Sequence, residues 1–227
     1  MDNLSLITCL CLILHQVHGY HKNKESDPQE IQTILDAHNY FRGIVTPSAT
    51  DMYKMEWSEE AARNALVSVK RCKFAHTSMQ ERKISYPIES RCGENIFMSS
   101  VDTEWWGIVK DWDSEKADFV YGESNSDESL MVGHYTQLVW AKSHLVGCAK
   151  HFCYGTPYPY YAICQYCPSG NMMGKEHRPY ESGRPCAACR DSCEGKLCKE
   201  KHSGGKPKPG NYNNYNNYNN NNKAPYG

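Results

Sequence analysis

The chain lacks an excess of charge of either sign, and it lacks any apolar run of membrane length. Its 25 lysines and arginines nearly balance 26 aspartates and glutamates, for a formal net charge of -1 over 227 residues. Nucleic-acid binding depends on a basic surface, so we expect no nucleic-acid partner. The apolar run at residues 4–14 is shorter than the roughly 20 residues that a membrane-spanning helix needs. We therefore predict a protein that does not span a membrane.

Two common hydrolase motifs are also missing. Neither Gly-x-Ser-x-Gly, which presents a nucleophilic serine, nor His-Glu-x-x-His, which holds a catalytic zinc, occurs in the sequence. We therefore predict that the protein is not an enzyme.

Residues 1–19 have the pattern of a secretory signal peptide, because an apolar run precedes the small residues Val17 and Gly19. Removing Cys9 and Cys11 with that segment leaves ten of the twelve cysteines, which is an even number. An even number of cysteines in a secreted chain predicts a framework of five disulfides. The expected location is extracellular.

A different interpretation of four cysteines is a structural zinc site. Cys164 and Cys167 form one Cys-x-x-Cys pair, Cys186 and Cys189 form another, and the spacing between the pairs suits zinc. The oxidising secretory route favours disulfides over this alternative, because exposed thiols are oxidised there.

Helix signals appear three times in the first half of the chain. Asp27 followed by Pro28 is typical of a helix start, and Ser58 opens a second amphipathic pattern. A third helix is predicted from about Asp102, with apolar residues at helical spacing. Glu115 continues its apolar face, where a carboxylate needs a cation or a hydrogen-bond donor.

Residues 145–168 alternate like two strands around a turn at residues 155–159. An antiparallel hairpin with this turn makes Cys148 and Cys164 cross-strand neighbours, because each lies eight residues from Thr156. Large apolar residues around Trp140 are predicted to lie in the core. His38, on the apolar face of the first helix, is predicted to be a satisfied histidine in the core or at its boundary.

The composition changes after Asn171. Four cysteines fall between Cys186 and Cys198 with almost no aliphatic side chains, so this segment needs disulfides to hold its shape. From Ser203 the chain contains Gly, Lys and Pro and then an Asn-Asn-Tyr rhythm, a composition typical of disorder.

Five features occur in the order found in one known family. They are His76, the element Cys92-Gly93-Glu94-Asn95-Ile96, the stretch 112–121, the segment Gly-His-Tyr-Thr-Gln-Leu-Val-Trp at 133–140, and the segment Tyr-Tyr-Ala-Ile-Cys-Gln-Tyr-Cys-Pro-Ser-Gly-Asn at 160–171. Together they resemble the CAP superfamily, which unites cysteine-rich secretory proteins, insect antigen 5 and plant pathogenesis-related proteins. The resemblance covers roughly residues 27–200, and venom allergen-like proteins of parasitic worms are the most similar type.

The resemblance implies an α/β fold, a three-layer α-β-α sandwich of the CAP type with a short disulfide-stapled C-terminal extension. The expected organisation is a signal peptide at 1–19, the CAP domain at 20–172, a cysteine-rich hinge-like extension at 173–200, and a disordered Asn/Tyr-rich tail at 201–227. Cysteine-rich secretory proteins continue into a further domain that acts on ion channels. This chain has no cysteine after Cys198, so we do not expect channel block.

The family resemblance also implies the order of the disulfides. The pairs are Cys72 with Cys153, Cys92 with Cys167, Cys148 with Cys164, Cys186 with Cys193, and Cys189 with Cys198.

By the same resemblance, two histidines and two glutamates line a central cleft: His76, Glu94, Glu115 and His134. Two imidazoles and two carboxylates suit a divalent transition metal, zinc above all. The alternative is a closed hydrogen-bond cluster in which each glutamate fixes a histidine tautomer and no metal is needed.

Family members that hold fatty acid or sterol imply a binding module that sequesters a small hydrophobic ligand. The stretch 122–129 has no aromatic residue, which weakens the sterol expectation and leaves fatty acid between two helices. The alternatives are a secreted modulator that binds a host or neighbouring protein, whose identity the sequence does not reveal, and a metal-dependent hydrolase.

The composition of the tail generates the first prediction. Deleting the chain after Ser203 leaves the melting temperature unchanged, because the tail has too little apolar surface to offset the entropy lost on ordering it. Thermal unfolding of the full-length and shortened proteins checks this. A drop of several degrees in the shortened protein would show that the tail docks on the domain.

Overall fold

The structure is a computed structural model that describes residues 27–124 and 129–200. The predicted signal peptide at 1–19 and the predicted tail at 201–227 lie outside the described residues, as do residues 125–128 of the stretch considered for sterol binding. Within the described ranges, no helix is long and apolar enough to cross a membrane.

Four α-helices and eight strands occur in the described part of the chain. The helices are α1 (Pro28–Gly43), α2 (Glu59–Val69), α3 (Trp105–Ser114) and α4 (Gly133–Leu138). The strands are β1 (Glu56–Trp57), β2 (Lys83–Ile84), β3 (Ser90–Arg91), β4 (Gly93–Ser99), β5 (Leu145–Phe152), β6 (Tyr160–Cys167), β7 (Cys193–Glu194) and β8 (Leu197–Cys198). Two short 3-10 helices follow α3 and precede β7, at Glu115–Asp118 and Arg190–Ser192.

The central sheet has the strand order β1-β5-β6-β4, so β4 is an edge strand. β1 pairs with β5 in parallel, and the other neighbours are antiparallel. The predicted β5–β6 hairpin is confirmed, with Cys148 directly opposite Cys164. β2 with β3 and β7 with β8 form two further two-stranded ladders.

Helices cover both faces of this sheet. One face presents Val146, Cys148 and Tyr166 to a core cluster that includes residues of α1, α3 and α4. The opposite face presents Ile96 and Ile163 to residues of α2. Alternate residues of a strand point to opposite faces, so the two clusters are separate layers. The predicted three-layer α-β-α sandwich is confirmed.

The helix starts follow local capping chemistry. The carboxylate of Asp27 accepts the backbone N–H groups of Gln29 and Glu30 at 2.8 and 3.1 Å, and Ser58 Oγ accepts the N–H of Ala61 at 3.3 Å. These interactions satisfy donors that a helix leaves unpaired in its first turn. The third helix begins at Trp105, later than the predicted start near residue 102, because the residue before Trp105 has an extended backbone.

Close approach of α2 to the sheet depends on Gly147. A Cβ atom added at this position would lie 2.1 Å from the backbone nitrogen of Ala62, so any other residue would push the helix away. α2 therefore packs directly on β5, with its C-terminal end near the loop that carries His76.

Five disulfides join the described cysteines. They are Cys72–Cys153, Cys92–Cys167, Cys148–Cys164, Cys186–Cys193 and Cys189–Cys198, the same pairs that the family resemblance implies. All four cysteines of the alternative zinc site are thus bonded to other cysteines, and a disulfide sulfur is not a thiolate ligand. The four-cysteine zinc interpretation is wrong for this structure.

The C-terminal extension packs against the sandwich. Leu197 is 6% exposed and belongs to the same core cluster as α1 and α3. Tyr53 and Cys198 form a parallel β-bridge, and Cys198 donates its N–H to the carbonyl of Met52 at 2.8 Å. The stapled segment therefore covers part of the main core.

His38 lies in the core, as predicted. Its side chain is fully buried, Nδ1 contacts the Ile34 carbonyl at 2.7 Å, and Nε2 contacts the hydroxyl of Tyr166 at 3.0 Å. A carbonyl only accepts hydrogen bonds, so Nδ1 is the donor and Nε2 accepts from the tyrosine. Burial is the main cause that lowers the pKa of His38 from 6.5 to about 4.

This histidine makes stability depend on pH. The unfolded chain binds a proton at His38 near pH 6.5, and the folded chain binds it only near pH 4. The stability that neutral, buried His38 contributes is therefore present above the unfolded pKa and is lost as pH falls from 6.5 to about 4. The expected loss is on the order of 3 kcal/mol between pH 7 and pH 4. His38→Gln removes this titration, so its free energy of unfolding falls less over the same range. Denaturant unfolding at several pH values measures the difference, and parallel pH profiles would contradict the assignment.

Candidate functional site

The four residues of the expected cleft come from four segments around the edge strand β4. His76 lies in the loop after α2, Glu94 is the second residue of β4, Glu115 begins the 3-10 helix after α3, and His134 lies in the first turn of α4. The structure arranges them as two His–Glu pairs, His76 with Glu94 and His134 with Glu115.

The first pair contains a buried carboxylate with many donors. Glu94 Oε1 accepts the N–H of Thr77 at 3.0 Å and contacts His76 Nδ1 at 3.2 Å. Its Oε2 accepts from Thr77 Oγ1 and Gln165 Nε2, both at 3.0 Å, and from Ser68 Oγ at 3.4 Å. Burial alone would raise the pKa of Glu94, but the hydrogen bonds from His76, Thr77 and Gln165 outweigh it and hold the pKa below its usual value. The carboxylate is therefore ionised at neutral pH.

In the second pair, one carboxylate binds both a histidine ring and a helix end. Glu115 Oε1 contacts His134 Nδ1 at 2.6 Å, while Oε2 accepts the backbone N–H groups of His134 and Tyr135 at 2.9 and 3.0 Å. Glu115 thus caps the N-terminus of α4, where a negative charge also complements the helix dipole. The sequence-based expectation that a carboxylate here needs a donor is met by these contacts.

The two pairs approach β4 from different sides. Glu94 bonds to Ser68 of α2 on one face of the sheet. Its neighbour Asn95 points to the other face and donates from Nδ2 to the carbonyl of His134 at 3.0 Å. Gly93 permits this contact, because a Cβ there would lie 1.9 Å from Oε1 of Gln137 in α4.

Both imidazole rings keep the same nitrogen available. Each Nδ1 faces a carboxylate, which as an acceptor holds the proton on that nitrogen and leaves Nε2 with its lone pair. Among the described residues no hydrogen-bond partner of either Nε2 is found. The side chain of His76 is 58% exposed and that of His134 is 20% exposed, so solutes reach both rings.

The ligand-type atoms are not gathered into a tight cluster. Among described residues, three groups have His, Cys, Asp or Glu ligand atoms within 4.8 Å of one another, and none contains any of the four cleft residues. Each of those groups includes cysteines that are disulfide-bonded, so none offers thiolates. The cleft is therefore two oriented pairs rather than a closed four-ligand cage.

Several residues that sequence reasoning did not single out belong to this site. Thr77 and Gln165 supply donors to Glu94, and Trp112 stacks on His134 with ring centroids 6.3 Å apart and an interplanar angle of 25°. Asp111 lies near His134 and Glu115. Burial raises the pKa of Asp111, while His134 acts to lower it and Glu115 acts to raise it further. Asp111 precedes Glu115 by four residues, a helical spacing that is visible in the sequence.

Two openings lie near the helices that were expected to hold a lipid. A cavity of about 200 Å³ lies between the end of α1 and the segment after α3, and Phe41, Ile44, Phe119 and Tyr135 are among its lining residues. A groove of about 710 Å³ lies between α1 and the β7–β8 hairpin. The groove lining includes both acidic and basic side chains, namely Asp36, Glu56, Glu194, Lys54 and Lys199.

Comparison with known proteins shows similarity over most of the chain. Allurin from Xenopus tropicalis is 44% identical over 200 residues, which cover 87% of this chain and 97% of that protein. The cysteine-rich venom protein helothermine from Heloderma horridum horridum is 41% identical over 201 residues, covering 86% of this chain and 82% of that protein.

Solved structures share the fold. A crystal structure of NaASP2 with Zn2+ has a TM-score of 0.65 and 32% identity, covering 78% of this chain and 98% of that one. Schistosoma mansoni venom allergen-like protein 4 has a TM-score of 0.54 and 25% identity, covering 72% of this chain and 100% of that one. The cysteine-rich secretory protein (CAP) family model matches residues 35–166. The sandwich fold, the five disulfides and these relatives agree with that match. The chain belongs to the CAP family and is of the venom allergen and cysteine-rich secretory type.

Proposed function

We propose that this protein is a secreted binding module whose cleft holds a divalent transition metal, zinc above all, through Nε2 of His76 and His134. The observation that carries the proposal is that each ring is held at Nδ1 by a carboxylate, which leaves both Nε2 atoms to ligate. The five disulfides support secretion, because disulfides form and persist in an oxidising compartment.

The donor set suits a metal in a specific way. A metal-bound histidine commonly donates its other ring N–H to a carboxylate, which fixes the tautomer and increases the basicity of the ligating nitrogen. Glu94 and Glu115 already make this contact, and their oxygens also accept bonds from other groups. We therefore assign the histidines as ligands and the glutamates as orienting partners. The zinc in the structure of the similar protein NaASP2 supports this choice of metal.

Binding, rather than turnover, is the activity we propose. A hydrolase needs donors aimed at a developing oxyanion, and free backbone N–H groups at a helix N-terminus are a common source. At α4 the N–H groups of His134 and Tyr135 both donate to Glu115 instead. The bound metal would polarise a water or a ligand group, while the chain itself supplies orientation and a fixed charge.

The metal proposal predicts a loss of binding on removal of the two imidazoles. The double variant His76→Ala, His134→Ala should bind no zinc in isothermal titration calorimetry, whereas Glu115→Gln should bind roughly 10–100-fold more weakly because the His134 ring loses its orienting carboxylate. In the unmodified protein, zinc affinity should also fall as the pH is lowered, because a protonated imidazole does not ligate a metal.

A matched control uses histidines outside the cleft. The double variant His151→Ala, His177→Ala removes two imidazoles elsewhere and should leave zinc affinity unchanged. Undiminished zinc binding in the His76 and His134 double variant would show that the metal sits elsewhere, and the proposal would then be wrong.

A second candidate function is fatty-acid sequestration, and the cavity beside α1 favours it. Phe41, Ile44, Val45 and Phe119 give it apolar walls. Lys116 also lines it and pairs with Asp113 at 2.6 Å, so a carboxylate headgroup would have to share or replace that contact to bind the cation. The groove beside the β7–β8 hairpin suits an acyl chain less well, because five charged side chains line it, against two in the cavity.

The size of the cavity sets a condition on uptake. Its volume of about 200 Å³ is below the roughly 300–1,000 Å³ of typical ligand sites. Tyr40 and Phe41 of α1 contact Trp106 of α3, with ring centroids 5.3 and 5.8 Å apart, and so hold the two helices together. A long acyl chain therefore enters only if this aromatic contact opens.

The fatty-acid candidate predicts that a bulky side chain in the cavity wall blocks uptake. Ile44→Trp should lower the affinity for a fluorescent fatty acid at least tenfold, because the indole fills space that the acyl chain needs. Val67→Trp is the matched control on α2, since Val67 is also exposed but lies away from the cavity. His134→Ala should leave fatty-acid binding unchanged. Equal binding by the Ile44 and Val67 variants would contradict this candidate.

A further inference from the structure

One end of the sheet carries a group of exposed aromatic side chains. The turn between β5 and β6 exposes 82% of Tyr154 and 50% of Tyr158. Phe152 packs edge-on against Tyr154 and Tyr160, with ring centroids 4.8 and 5.0 Å apart. The exposed ring of Tyr154 is therefore held by an aromatic contact at its base.

A second segment brings cations to the same end. The disulfide Cys72–Cys153 holds the two Cα atoms 5.5 Å apart and attaches the segment after α2 to the turn. Phe74 is only two residues from Cys72, a span of at most about 7 Å, and 53% of it is exposed. Lys70 and Lys73 flank Cys72 on the exposed side of the chain.

Basic residues predominate in the two segments at this end. The two segments, residues 70–77 and 150–161, contain no Asp or Glu, although the whole chain carries 26 of these residues. Arg71 and Lys150 do have acidic partners from outside these segments, Glu81 and Asp102. Lys70 and Lys73 have no ion pair with any described residue, so their charges remain available to an external anion.

We propose that this sheet-end surface, made of Lys70, Lys73, Phe74, Tyr154 and Tyr158, docks on an anionic phospholipid membrane. Aromatic rings with a polar edge settle at the level of the headgroups, and lysines beside them are attracted to anionic lipid. The protein lies on the membrane and does not enter its core. The inference goes beyond metal and fatty-acid binding and uses none of the ligand atoms assigned above.

The aromatic residues favour a membrane over a sulfated polysaccharide. A sulfated polysaccharide binds mainly through its charged groups, so its binding would depend on the lysines more than on Phe74 and Tyr154. A membrane requires both kinds of residue, because the cations attract the surface and the rings bury apolar area between headgroups. Heparin is therefore the appropriate competitor to include in the test.

The test measures partitioning of the full-length secreted protein to vesicles. Vesicles of phosphatidylcholine, with and without phosphatidylserine, are sedimented and the bound protein is measured at low and physiological salt. We expect binding that requires phosphatidylserine and weakens with salt. Tyr154→Trp adds a direct reporter, because its indole emission should shift to shorter wavelength on binding if this ring enters the interface.

Two pairs of substitutions separate the charged and aromatic parts. Lys70→Gln with Lys73→Gln should lower the partition coefficient roughly 25-fold, since each lysine near an anionic surface contributes about fivefold. Phe74→Ser with Tyr154→Ser should lower it at least about tenfold. Both pairs lie at exposed positions, so thermal unfolding should match that of the unmodified protein.

Matched controls lie outside the surface. Lys110→Gln with Lys175→Gln removes two exposed lysines elsewhere, and Met173→Ser removes a side chain that is 95% exposed. These variants should bind vesicles like the unmodified protein. Zinc titration of every variant tests separately whether the cleft still binds metal. Equal losses in the controls, equal binding to both vesicle types, or binding to heparin without binding to vesicles would overturn the proposal.

Discussion

The structure depends on a buried guanidinium, that of Arg42. It makes six hydrogen bonds to backbone carbonyls, of Tyr53, Leu138, Trp140, Ala141 and Ser143, at 2.6–3.2 Å. Burial lowers its pKa to about 9, so the side chain still carries its charge at neutral pH. These bonds join α1 to the turn that leaves α4, and removal of the guanidinium would leave several buried acceptors without donors. No local sequence pattern reveals these acceptors, because most lie about 100 residues away.

The same interaction explains how α4 holds its histidine. A helix of six residues is too short to be stable alone, and its end groups lack intrahelical partners. Glu115 accepts N–H groups at its N-terminus, and Arg42 donates to the Leu138 carbonyl at its C-terminus. The two charges have the signs that the helix dipole favours. His134 is therefore fixed by its ring contact and by both ends of its helix, whereas His76 lies on an exposed loop.

Local rules predicted the parts of the fold whose causes are close in sequence. Asp27 and Ser58 start helices through their own side chains, and the turn length places Cys148 opposite Cys164. The character of the site was harder to predict. The family resemblance supplied Glu94 and Glu115, but their role as hydrogen-bond acceptors depends on donors that arrive from other elements, such as Gln165 of β6. The site-residue assignment itself stays a prediction until metal binding is measured.

The segment between Cys72 and Thr77 connects the two proposed surfaces. Phe74 belongs to the sheet-end surface and His76 to the cleft, so membrane contact and metal binding both involve this short segment. The segment is anchored at both ends, by the disulfide to Cys153 and by two bonds from Thr77 to Glu94. Coupling between two sites requires an element with two arrangements that both ligands bias. Because these anchors favour one arrangement, we expect membrane contact and metal binding to be thermodynamically independent, and zinc should leave the vesicle partition coefficient unchanged.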